Sequence, residues 1–102
     1  MHEKNIAHRD LKPENILIKY PSFGQGTDVL KCELKIADLG AAKVLNSQNL
    51  NTPYVVSRYY RAPELIMGSQ NYDCSIDVWS TGCILFELIT RTPMFPGDAE
   101  GL

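Results

Sequence analysis

Within His8-Arg9-Asp10-Leu11-Lys12-Pro13-Glu14-Asn15, four polar side chains have the types and spacing to handle a phosphoryl group. Asp10 is a carboxylate that can orient a hydroxyl and accept its proton as a general base. Lys12, two residues on, carries a mobile ammonium that can neutralise charge developing on the transferred group. Asn15 offers an amide oxygen, a hard ligand suited to a hard cation such as magnesium. Arg9 supplies a planar guanidinium that can clamp a phosphate on a neighbouring loop. The plain alternative is an ordinary polar turn closed by Lys-Pro-Glu-Asn. Eight residues of such mixed chemistry in this order are hard to obtain by chance.

Two further stretches carry chemistry. Asp38-Leu39-Gly40 follows the alternating run Glu33-Leu34-Lys35-Ile36. A carboxylate at a strand end, followed by a glycine that lets the backbone bend sharply, can reach a metal. Asp-x-Gly is common in turns and gains weight here from its place after the first loop. Thr52-Pro53-Tyr54 sets two phosphorylatable hydroxyls two residues apart, with Arg58 and Arg61 beyond them. A phosphotyrosine at Tyr54 would carry a charge of about -1.5 to -2 and could pair with both guanidiniums, ordering the loop. The alternative is an unmodified tyrosine beside two solvated arginines. Ser57 is placed to bridge Asp10 and Lys12.

The elements that must position these groups are short. Ile16-Leu17-Ile18 reads as a brief buried strand and Glu33–Ile36 as its partner, with the turn-rich stretch 20–31 closing a hairpin. Residues 41–51 show no clear period and read as a mobile loop. Pro63 precedes a short helix predicted from Glu64 to Met67, as helix starts favour. A turn-rich connection over 68–73 leads to a longer helix from Ser75 to about Ile89. Its apolar residues wrap most of the circumference, which predicts a buried central helix. Asp77 is the exception. In the first turn it suits the helix dipole, and it could also brace the backbone of the first loop.

The bulk numbers narrow the function classes. The chain has 102 residues, 44% of them hydrophobic, and a formal net charge of -2. That balance gives no argument for nucleic acid or an anionic membrane surface. Cys32, Cys74 and Cys83 have neither metal-ligand spacing nor a disulfide framework, and read as reduced cysteines of a cytoplasmic or nuclear protein. Met1 is not followed by an apolar run, and Val78–Ile89 is interrupted by polar residues.

Taken in order, the first loop, the Asp38 triplet, the Thr52–Arg61 segment, Ala62-Pro63-Glu64 and the apolar helix resemble the C-terminal lobe of a eukaryotic protein kinase. The loop fits the kinase catalytic pattern H-R-D-L-x-x-x-N, His8 included. Ser57-Arg58-Tyr59-Tyr60-Arg61-Ala62-Pro63-Glu64 and Phe95-Pro96-Gly97 resemble the CMGC group. Within it, Ser75-Ile76-Asp77-Val78-Trp79-Ser80 and Asp38-Leu39-Gly40-Ala41-Ala42-Lys43 are most similar to glycogen synthase kinases. Thr52-Pro53-Tyr54-Val55-Val56 looks like a stress-activated MAP kinase motif, which makes that branch second.

The resemblance implies an α+β, mainly α, partial kinase domain over 1–102 that phosphorylates serine or threonine of protein substrates, using ATP and Mg2+. Asp10 and Lys12 would be catalytic, and Asn15 and Asp38 would hold metal and nucleotide. Leu17 would lie beneath the adenine ring. Arg9 and Lys43 would bind a phosphate already present on the substrate. An upstream kinase would act on Thr52 or Tyr54. Leu39 replaces the usual phenylalanine of the metal triplet, keeping an apolar contact with less ring area. Glu64 normally pairs with an arginine that lies beyond these residues. No glycine-rich phosphate loop, strand lysine or helix glutamate is found in the 102 residues, so the chain reads as a fragment without its N-terminal lobe. As an isolated piece it is expected to be inactive and prone to aggregate, the alternative reading being a non-catalytic binding or scaffold module.

Overall fold

The computed structural model describes residues 1–20, 31–46 and 49–97. Most of the turn-rich stretch between the first two long strands, residues 21–30, lies outside the described residues, as does Asp98. The architecture is α+β: two small antiparallel sheets, short helical turns and one long helix.

A single turn at His2–Lys4 leads into strand β1, Ile6–Ala7. The catalytic-type loop follows, ending in a 3-10 turn at Pro13–Asn15, where proline's fixed φ suits the first position. Strand β2, Ile16–Lys19, then pairs antiparallel with β3, Glu33–Ile36, with Ile16 opposite Ile36 and Lys19 opposite Glu33. Strand β4, Lys43–Val44, returns to β1, with Ile6 opposite Val44 and Ala7 opposite Lys43. The bond from Leu45 N–H to the Asn5 carbonyl, 2.7 Å, extends that pairing by one step. Stretch 41–51 is therefore not simply a loop. It contributes a strand, and both Leu45 and Asn51 are buried. Pairing with β1 supplied the order that local sequence did not signal.

Helix α1 is one turn, Pro63–Ile66, and α2 runs Ser75–Thr90. Asp73 starts α2: its Oδ1 accepts the Ser75 N–H at 2.9 Å and also the Ser75 hydroxyl. Both bonds favour the ionised form and hold the Asp73 carboxyl below its ordinary range. Arg91 ends the helix in the left-handed region, φ 63°, with its N–H on the Glu87 carbonyl at 2.6 Å.

The core gathers Ala7 and Leu11 from the first segment, Leu45, Val56 and Tyr60 from the middle, and Ile76, Cys83 and Ile84 from α2. On α2 the buried positions 76, 77, 80, 83 and 84 repeat at helical spacing and form one face. Ser80 is fully buried, and its hydroxyl donates to the Tyr60 carbonyl at 2.7 Å. Tyr60 in turn donates its hydroxyl to Glu87 Oε1 at 2.6 Å. Burial, then that bond to the glutamate, push its hydroxyl pKa well above the ordinary value of 10.0.

Two burial expectations are corrected here. Helix α2 is covered on one face only: Val78, Leu85, Leu88 and Ile89 are exposed. The strand at 16–18 is not buried either, because Leu17 and Ile18 are about half exposed. In both cases an apolar run expresses a need for partners, and among the described residues no layer packs on those faces. No helix among the described residues is long and apolar enough to cross a membrane.

Candidate active site

The loop at residues 8–15 is held from beneath by one buried carboxylate. Asp77, 2% exposed, accepts the His8 N–H at 2.7 Å on Oδ2 and the Arg9 N–H at 3.0 Å on Oδ1. The Nε2 of His2 donates to the same Oδ2 at 2.8 Å. Three donors therefore satisfy an anion that would be costly to bury alone. Arg9 adopts φ 68°, a left-handed conformation uncommon for a side chain of its size. The Asp77 bonds to residues 8 and 9 bracket that bend.

His8 carries the order across to the second motif. Its Nδ1 accepts the Asp10 N–H at 3.1 Å, so the proton sits on Nε2, which donates to the Ala37 carbonyl at 2.8 Å. The Ala37 N–H donates to the Asn15 carbonyl, also at 2.8 Å. Residue 37 is thus pinned on both sides to the first loop, and Asp38 follows it at φ 59°. The first loop and the Asp38 triplet form one hydrogen-bonded unit.

Asp10, Lys12, Asn15 and Ser57 come together. Asn15 is buried, and its amide nitrogen donates to the Asp10 carbonyl at 2.8 Å and to Asp10 Oδ2 at 3.3 Å. The amide oxygen is then the group that could meet a cation. Ser57 donates its hydroxyl to Asp10 Oδ1 at 3.3 Å, and the Lys12 ammonium stands 3.9 Å from the same oxygen. Ser57 touches Asp10 as anticipated, while Lys12 reaches that carboxylate directly and not through the serine. Asp38 is exposed, with Oδ1 accepting the Gly40 N–H at 3.1 Å. Asn15 and Asp38 are oxygen donors of the hard type that magnesium prefers, and one or two such groups suffice when phosphates complete the set.

Other anticipated roles are revised by the geometry. Leu39 is 61% exposed, so the apolar contact expected of it is not made among the described residues. Leu17 likewise stands open. Arg9 points its guanidinium inward: Nε donates to the Ala41 carbonyl at 2.7 Å and Nη1 to the Tyr72 hydroxyl at 3.1 Å. Lys43 lies exposed on β4. Glu64 is half-buried, and its carboxylate makes no hydrogen bond or ion pair among the described residues.

The Thr52–Arg61 segment has a different internal order from the one expected. Tyr54 is 78% exposed and borders a cleft of about 600 Å3 together with Arg58 and Arg61. Arg61, however, grips backbone: Nε donates to the Val55 carbonyl at 3.1 Å and Nη2 to the Val56 carbonyl at 2.9 Å. Val56 has φ 67°, a conformation that β-branched residues avoid. Arg61 therefore stabilises a strained turn immediately before Ser57 and does not serve as a ready phosphate clamp.

Tyr72 and His2 carry contacts that sequence reasoning did not assign. Tyr72 had one available signal, a large aromatic residue inside an otherwise polar turn-rich connection. His2 had none, because its partner lies 75 residues away.

Residues 1–101 match the protein kinase domain family. Mitogen-activated protein kinase 10 of Arabidopsis thaliana is 48% identical over 100 residues, 98% of this chain and 23% of its own length. Mitogen-activated protein kinase 6 of the same plant is 47% identical over 97 residues, 95% of this chain and 22% of its own. Glycogen synthase kinase 1 of Pyricularia oryzae is 48% identical over 99 residues, 97% of this chain and 23% of its own. The chain spans about a quarter of the length of these curated relatives. It belongs to the protein kinase domain family, with relatives in both the MAP kinase and glycogen synthase kinase branches of the CMGC group.

Proposed function

We propose that the protein carrying this chain transfers a phosphoryl group from ATP to serine or threonine hydroxyls of protein substrates. These 102 residues would supply the C-terminal-lobe half of the site. The observation that carries the reading is the cluster of Asp10, Lys12, Asn15 and Ser57, built on a loop that Asp77 holds from below. Asp10 would orient the incoming hydroxyl and take its proton. The amide of Asn15 fixes the Asp10 carboxylate by a bond to one oxygen, and the Ser57 hydroxyl approaches the other. Lys12, near that same carboxylate, would face the negative charge of the phosphoryl in flight. Asn15 and Asp38 would hold magnesium, which when bound supplies charge neutralisation at the nucleotide phosphates. Leu17, open on β2, would offer apolar surface to the adenine ring. Branch-specific features follow from motif likeness: Lys43, exposed on β4, toward a pre-phosphorylated substrate, and Thr52 and Tyr54 as acceptors for an upstream kinase.

The test is γ-phosphoryl transfer from radiolabelled ATP to a generic basic protein substrate, by the full-length protein, with and without magnesium. Magnesium-dependent labelling on serine or threonine is expected, and Asp38→Ala should abolish it with the protein still folded. Wild-type protein that labels nothing, or Asp38→Ala that labels as well as wild type, would contradict the reading.

A further inference from the structure

The inward-facing Arg9 guanidinium holds two distant points of the chain, and reaches the second through one side chain. Its Nε bonds the Ala41 carbonyl directly. Its Nη1 donates to the Tyr72 hydroxyl, and that hydroxyl donates its own proton to the Thr52 carbonyl at 2.6 Å. Ala41 follows the Asp38 triplet, and Thr52 opens the segment that delivers Ser57 to Asp10. Arg9 is 9% exposed and Tyr72 7%, so water cannot readily replace the bond between them.

We propose that Tyr72 is a positioning residue for phosphoryl transfer. Its hydroxyl relays the Arg9 hydrogen bond to the Thr52 carbonyl and so fixes the 52–57 segment against the catalytic loop without any phosphate on that segment. A hydroxyl suits the task because it accepts and donates at once, whereas both ends of the link are single-minded: guanidinium only donates and carbonyl only accepts. Removing it leaves the buried Arg9 N–H and the Thr52 carbonyl without this shared partner. This inference rests on the kinase reading above.

Tyr72→Phe tests it, since the ring stays in the core and the hydroxyl alone is lost. In the full-length protein kcat should fall about tenfold, with KM for ATP within about twofold of wild type. Deuterium uptake should rise in peptides spanning 49–58 and stay unchanged in α2. Either change without the other overturns the proposal, as does neither. A second measure uses Arg9→Lys, which removes Nη1. Because both substitutions break one relay, Tyr72→Phe should cost less than about twofold in that background, and additive losses would overturn the relay. Wild-type protein with no transferase activity overturns the kinase reading and this inference with it. Active wild type with an unaltered Tyr72→Phe variant overturns this inference alone.

Discussion

Asn15 and Ile16 are neighbours in sequence but belong to regions of opposite character. Up to Asn15 the chain is polar, yet its key groups are buried: His8, Arg9 and Asn15 lie inside, bonded to Asp77, Ala37, Ala41 and Asp10. From Ile16 on, the β2–β3 ribbon is strongly apolar and yet open. Its Ile18, Leu34 and Ile36 share a face that is more than half exposed. The usual association of polar with outside and apolar with inside is inverted within a few residues, since Ile16 still packs on the core and Leu17 and Ile18 stand open. Polar groups can go inside when each finds a specific partner, and here a single carboxylate at the start of α2 supplies two of them. Apolar groups go inside only where a surface covers them, and on the ribbon only Ile16 packs against the core among the described residues. The first region is specified by directional bonds within this chain, and the second waits on contact area.

Substitutions should separate the two regions by size of effect. Asp77→Ala strands two buried backbone N–H groups and the His2 ring nitrogen. It should lower unfolding free energy by about 3 to 5 kcal/mol, read from denaturant midpoints of the full-length protein. A loss under about 1 kcal/mol would mean the loop holds its shape without the carboxylate. Next, Ile76→Ala, at a fully buried core position, should cost about 2 to 4 kcal/mol. In the 102-residue chain, Ile18→Thr on the open ribbon should cost less than about 1 kcal/mol and reduce self-association by light scattering. Equal costs at both positions would erase the contrast.

The smallest effect concerns pH. Tyr60 is more easily kept neutral in the fold than in the unfolded chain, where its value is the ordinary 10.0. Its contribution is therefore complete below pH 10 and is lost as pH rises beyond that toward the higher folded value. Stability measured from pH 8 to 11 should fall at the upper end. Tyr60→Phe should flatten that fall, and an identical slope in both proteins would count against the Tyr60–Glu87 bond.

Much of the site was legible in the sequence because its chemistry is local. Asp10, Lys12 and Asn15 sit within six residues, and their grouping in space follows from one short loop and its 3-10 turn. Asp77 was legible as a carboxylate out of place in an apolar helix. The antiparallel β2–β3 pair followed from alternation. What escaped depends on pairing over distance. Strand β4 exists because β1 is there to pair with, and residues 43–44 carry no alternation long enough to show it. Arg9 and Arg61 read as phosphate clamps because arginine near phosphorylatable hydroxyls suggests one. Their inward bonds to Ala41, Tyr72, Val55 and Val56 depend on a backbone path that spacing does not encode. The open face of α2 is hidden from sequence for a related reason, since periodicity reports which faces are apolar and not whether anything covers them.

The most direct measurement is turnover of the full-length protein with Asp10→Asn, alongside magnesium-ATP affinity of the same variant. Asparagine keeps the shape and the reach to Asn15 and Ser57 but cannot take a proton at neutral pH. If Asp10 serves as the base, kcat falls by a factor of about 10²–10⁴ while nucleotide affinity stays within about threefold of wild type. Phosphoryl transfer at the wild-type rate, with the variant folded and saturated with nucleotide, would contradict the assignment.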